Sequence, residues 1–114
     1  MFRVEPDVFE ALVREAVEGL PEPLRERMNN VAIVAKDHPT RGRLFGLYQG
    51  IPIPARGTHY GNVLPDLITI YQATHEDACD SLEELREQVR VTVRHEIAHH
   101  FGIDDDRLEE LGAY

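Results

Sequence analysis

Residues 81–102 read Ser81-Leu82-Glu83-Glu84-Leu85-Arg86-Glu87-Gln88-Val89-Arg90-Val91-Thr92-Val93-Arg94-His95-Glu96-Ile97-Ala98-His99-His100-Phe101-Gly102. Ser81 and Glu84 stand at capping-box spacing, where a hydroxyl and a carboxylate each satisfy one of the first free N–H groups of a helix. The pattern that follows is helical without interruption to Phe101, and Gly102 is a residue that ends helices at little conformational cost. At about 100° per residue, Val89, Val93, Ile97 and Phe101 share one side, while Gln88, Thr92, His95 and His99 lie on another. The spacing predicts one long helix with its back in the core and its polar side toward a cleft.

That polar side carries His95-Glu96-Ile97-Ala98-His99, an H-E-x-x-H. Positions four apart return to within roughly 40° of each other, one turn along the axis, so both imidazoles can reach one ion. Glu96 lies about 100° further round, placed to touch a water on that ion and poorly placed to be a ligand. Zinc held by neutral nitrogens and a third protein group keeps a position for water and lowers its pKa toward about 7; a nearby carboxylate can then take the proton. A turn at Gly102 would bring the next residues back toward the ion. Of Asp104, Asp105 and Asp106, the last pairs with Glu109 as the N-cap of a short final helix over 107–111, leaving Asp105 as the expected third ligand. By ordinary residue usage H-E-x-x-H alone arises by chance in on the order of a few chains per thousand of this length. With the glycine and the acid at these offsets, a metal centre is the better explanation than an accidental surface helix.

Working outward, Asp7 and Glu10 open a first helix with Val8, Ala11, Leu12 and Ala16 on its face and Gly19 at its end. A second, short helix is expected over 24–28. The apolar, β-branched run 31–35 reads as a central strand buried on both faces. Residues 36–64 hold five glycines and three prolines and should be mostly loop, with 44–49 as the one strand among them. Residues 66–72 alternate, and Pro65 before them fits an edge strand. The expected architecture is α+β: one small domain spanning residues 1–114, with a short mixed sheet packed against the long helix.

The chain has 114 residues, 42% of them hydrophobic, with a formal net charge of -9 and a pI near 5.0. One core accounts for that length. The negative field repels phosphate backbones and anionic lipid, so neither nucleic acid nor a membrane is expected as a partner. Cys79 has no second cysteine to pair with, and the opening MFRVEPD carries acids and a proline where a signal peptide needs an apolar run, which together point to the cytoplasm. Among other polar residues, His100 should turn toward the core side as a hydrogen-bonding histidine. His59 and Tyr60, flanked by Gly57 and Gly61, lie in what reads as an ordinary turn that could also offer a donor to an oxyanion. His38 and His75 are expected in solvent. Cys79 is expected to be either a packed small residue or an exposed thiol.

These residues together resemble the minimal zincin-like metallopeptidases, small bacterial proteins, over nearly the whole chain. The matching stretches are Leu20-Pro21, Asn30-Val31, Gly46-Leu47-Tyr48 with Gly50, Arg56-Gly57, Tyr60-Gly61, Leu64-Pro65-Asp66 with Ile68-Thr69, and above all Glu87 to Val93 leading into His95 to Asp105. The resemblance implies a zincin-like domain with Zn2+ on His95, His99 and Asp105, and with Glu96 as catalytic acid and base. Extended zincins with a histidine as third ligand add a methionine turn below the metal; here the only methionines are Met1 and Met28. The function so implied is hydrolysis of a peptide or protein substrate, laid along 66–72 if that strand is an exposed edge. Two alternatives stand beside it: a zinc-stabilised binding module without turnover, whose cleft a protein partner would complete, and a metal-dependent ribonuclease, against which Glu96 and the net charge both argue.

Overall fold

The computed structural model describes residues 2–26, 28, 31–50 and 66–100. Within these the order is α1 (Pro6–Glu18), α2 (Glu22–Arg25), β1 (Val31–Lys36), β2 (Gly46–Gln49), β3 (Asp66–Tyr71), α3 (Gln72–Ala78) and α4 (Leu82–His100). The fold is α+β, with a mixed three-stranded sheet whose order is β1-β3-β2. Strands β1 and β3 are parallel, pairing Val31 with Asp66 and Ile33 with Ile68; β2 is antiparallel to β3, pairing Gly46 with Ile70 and Tyr48 with Ile68. By this register Val31, Ile33 and Ala35, Gly46 and Tyr48, and Asp66, Ile68 and Ile70 all share one face of the sheet. That face meets the helices, because Ile68 and Ile70 join Phe9, Leu12, Leu85, Val89, Val93 and Ile97 in a single core cluster. Helix α1 lies over β1, and α4 lies over β3 and β2 while packing along α1. Each fully buried Leu, Ile, Val or Phe in this layer contributes about 1.5–3 kcal/mol over an exposed one.

Two of the three strands assigned from sequence exchange places, while the third, expected over 44–49, is β2. Among the described residues the run at 31–35, expected in the centre, forms an edge strand that is only partly buried, whereas the one at 66–72, expected at the edge, is the central strand, with Ile68 and Ile70 fully buried. The polar members of β3 gave it an edge-like alternation, yet Asp66 and Thr69 are 5% and 1% exposed.

Helix α1 begins at Pro6 with no side-chain cap on its first turn, so the Asp7 capping box does not form; proline's fixed φ opens the helix instead. Its buried face is Phe9, Leu12, Val13 and Ala16, rotated from the expected one, and Val8 and Ala11 point outward. The larger Phe9 outcompetes Val8 for the core. Helix α2 spans Glu22–Arg25, slightly earlier than the expected 24–28. Helix α3 has no counterpart in the sequence reading. Glu76 on it ties down the N-terminal segment: its carboxylate accepts hydrogen bonds from Arg3 Nη1 (3.0 Å), the Val4 N–H (2.8 Å) and Gln72 Nε2 (3.1 Å). Burial by itself would raise this carboxyl, but these donors and the Arg3 charge more than offset it and hold it below its ordinary value. No helix among the described residues is long and apolar enough to cross a membrane.

Candidate metal centre on the long helix

Helix α4 starts as its sequence requires. The Glu84 N–H donates to Ser81 Oγ (3.1 Å), and the Glu84 carboxylate accepts from the Asp80 N–H (3.0 Å), one residue earlier than the usual reciprocal partner. Leu85, Val89, Val93 and Ile97 are buried at 1% exposure or less, which fixes the rotation of the helix. His95 and Glu96 are thereby half-buried and His99 is exposed. The two imidazoles are one helical turn apart on the side away from this apolar stripe, as the spacing predicts.

Glu96 is lodged between its own helix and β2. Burial lifts its carboxyl above the ordinary glutamate value, while the neighbouring His99 and His95 draw it back down. Gly46 of β2 comes so close that a Cβ built on it would lie 2.9 Å from Glu96 Cγ and 3.1 Å from Thr92 Cγ2. One turn before His95, Thr92 is 5% exposed and its Oγ1 is 2.8 Å from His75 Nε2. His75 Nδ1 is 2.7 Å from the Tyr71 carbonyl. A carbonyl only accepts, so Nδ1 carries the proton, Nε2 is the acceptor, and the Thr92 hydroxyl donates to it. The imidazole is fully buried, with the rings of Phe9 and Phe45 at 5.5 and 5.0 Å. Its burial lowers its pKa, opposed by the hydrogen bond to Tyr71. The expectation of a solvated His75 is therefore wrong: the helix at 72–78 turns the ring inward, where aromatic partners and a buried hydroxyl satisfy it. His38, by contrast, is exposed beside Asp37.

A second polar cluster closes the C-terminal end of α4. His100 Nδ1 lies 2.9 Å from Asp66 Oδ2, the Tyr48 hydroxyl donates to the same oxygen at 2.9 Å, and the Tyr48 and His100 rings meet edge to face at 5.2 Å. His100 thus turns to the sheet, as its position on the helix predicts. Asp66 and Tyr48 were not singled out by sequence reasoning. A usable signal was there, since an acid opening an apolar strand needs donors, and Gly46-x-Tyr48-x-Gly50 leaves room for one: a Cβ at Gly50 would run into the Tyr48 hydroxyl.

Cys79 is a buried free cysteine, the packed small residue of the two expectations; burial pushes its thiol up, with Glu84 and Asp80 adding to the effect. Asp105, the expected third ligand, lies outside the described residues, as do Gly102, the final helix over 107–111, His59 and Tyr60. Among the described residues no group of three or more His, Cys, Asp or Glu gathers into a metal-binding set. What α4 itself presents is two imidazoles with an adjacent carboxylate, a donor chemistry that suits zinc and leaves a base beside it. A concavity of about 580 Å3 between α1 and β1 is lined by such residues as Val13, Val17 and Ile33 and includes none of these three side chains.

Two comparisons bear on this arrangement. The sequence model of the zincin-like metallopeptidase family matches residues 24–113, which include β1 to β3, α3 and all of α4. No curated protein matches the chain.

Proposed function

The chain belongs to the zincin-like metallopeptidase family, and on that premise we propose that it is a zinc-dependent peptidase in which His95, His99 and Asp105 hold the metal and Glu96 is the general base and acid. The observation that carries this reading is the setting of Glu96: a half-buried carboxylate beside His95 and His99, walled by the backbone of β2 at Gly46. Zinc, when bound, would lower the pKa of water and polarise the scissile carbonyl. The chain's own groups do the rest. A Glu96 carboxylate oxygen takes the proton from the attacking water and returns it to the departing amine nitrogen. His95 and His99 serve as neutral nitrogen donors.

The place for an extended peptide is corrected by the sheet order. β3 is hydrogen-bonded on both sides, so its edge is not available to a substrate; β2 is paired on one side only among the described residues and runs beside Glu96. A substrate strand adding to β2 would gain backbone hydrogen bonds at the level of the base. Cys79, a free thiol, suits a reducing compartment such as the cytoplasm.

Zinc-loaded protein incubated with a peptide library and, separately, with RNA tests the reading. Peptide cleavage that disappears in Glu96→Gln, while that variant keeps one zinc per chain, is the expected result. Zinc retention with no peptide cleaved by the native protein would make it a binding module, and cleavage of RNA alone would make it a nuclease.

A further inference from the structure

Gly46 is not a glycine for conformational reasons. Among the described glycines only Gly42 has a positive φ, 60°, and Gly46 is an ordinary extended residue of β2 that any amino acid could adopt in isolation. Its reason lies in space. A Cβ there would meet three atoms at once: Glu96 Cγ at 2.9 Å, Thr92 Cγ2 at 3.1 Å and the Thr69 carbonyl oxygen at 3.2 Å.

These three neighbours differ in how far they can give way. The Thr69 carbonyl belongs to the central strand, paired with β1 and β2 on either side. Thr92 is held by its hydrogen bond to His75, which is itself held by the Tyr71 carbonyl. Its methyl cannot rotate away without breaking that chain of contacts. Glu96 is the remaining member, and the atom struck is its Cγ, in the middle of the side chain, so any displacement is carried outward to the carboxylate.

We propose that Gly46 is a positioning residue for Glu96: the missing side chain lets the β2 backbone stand against the glutamate and confine it to the rotamer that faces His95 and His99. The catalytic part of this inference rests on the peptidase reading above; the steric part does not. A misplacement of about 1 Å at a reacting group is enough to cost on the order of 100-fold in rate.

The test uses Gly46→Ala in the full chain, alone and combined with Glu96→Ala, which removes the Cγ that the new methyl would strike. Gly46→Ala should retain one zinc per chain and lose about 100-fold in kcat, with KM changed less than about threefold. Adding Thr92→Ser, which deletes Cγ2 but keeps the hydroxyl on His75, should restore a measurable part of that kcat. In thermal unfolding, the drop in Tm caused by Gly46→Ala should shrink by more than half in the Glu96→Ala background. The same holds if Gly46→Ala by itself does not fold, since the double variant should then fold. An undiminished Tm loss in the double variant, or failure of both to fold, would overturn the proposal, because the collision would then be with something other than Glu96. Unchanged kcat in Gly46→Ala would overturn it too. A native protein that binds zinc but cleaves nothing would sink the peptidase reading, and the unfolding comparison would still decide the steric claim.

Discussion

The two halves of α4 are held by different kinds of contact. Over its first half, Leu85 and Val89 are fully buried in the core shared with α1, and the exposed side is linked to α1 by ion pairs, Arg86 with Glu15 at 3.1 Å and Arg90 with Glu15 at 3.9 Å. Over its second half, the apolar stripe continues through Val93 and Ile97, but the polar side meets the sheet and α3 through single contacts: Thr92 with His75, Glu96 against Gly46, and His100 with Asp66. Apolar burial is non-directional and spread over many atoms, so it fixes the helix on its neighbours without fixing any one polar atom. Hydrogen bonds and a close backbone approach do fix single atoms. The lesson is that stability and site geometry are supplied by different ends of one helix, and substitutions should separate them.

The largest separation is expected at the proposed ligands. His99→Ala, at an exposed position in the second half, should leave the fold intact and abolish stoichiometric zinc binding, as should His95→Ala; Asp105→Ala should weaken it and Asp104→Ala should not. Equilibrium dialysis followed by metal analysis checks all four. Full affinity in Asp105→Ala with loss in Asp104→Ala would move the third ligand by one residue.

A smaller effect is expected where the end of α4 meets the sheet. Tyr48→Phe removes one donor to a carboxylate that is 5% exposed, and should destabilise the protein by about 1–3 kcal/mol in urea unfolding. It should also lower zinc affinity, because the residue after His99 is anchored on the same Asp66 oxygen. A stability loss with unchanged zinc affinity would detach this cluster from the metal centre and confine it to scaffolding.

His75 sharpens the comparison through pH. Its folded-state pKa lies below the unfolded value of about 6.5. Above that value both states are neutral and the group contributes no pH dependence. As pH falls below about 6.5, the unfolded chain takes up the proton more readily than the folded one, so stability is lost down to the folded value. The fall in Tm on acidification below pH ~6.5 should therefore be shallower in His75→Gln than in the native protein. Equal slopes would mean that the buried ring does not carry this dependence.

The smallest effect belongs to the first half. Arg86→Ala removes a pair whose side chains are 39% and 46% exposed, and should cost at most about 0.5 kcal/mol with zinc affinity unchanged.

Much of α4 was legible in the sequence because a helix of 19 residues shows several turns of one period, and because Ser81, Glu84 and the H-E-x-x-H spacing are local facts. The order of the strands was not. Whether a six-residue run lies at the edge or in the centre depends on what pairs with it from far along the chain, and the polar residues of β3 gave a false impression of exposure because Asp66 and Thr69 bring no local sign of being buried. The inward turn of His75 was hidden for the same reason: its partners, Phe9, Phe45 and Thr92, come from three separate elements. Gly46 looked like loop punctuation, since a glycine required by a neighbour's side chain is indistinguishable in sequence from one required by a turn.

The central claim is a division of labour on one helix, with His95 and His99 as ligands and Glu96 beside the metal without binding it. Anomalous diffraction at the zinc edge from zinc-loaded crystals tests it most directly. The account predicts one peak, about 2.0–2.1 Å from a ring nitrogen of each histidine, with both Glu96 carboxylate oxygens beyond bonding distance; a peak bonded to Glu96, or lying away from either histidine, would contradict it.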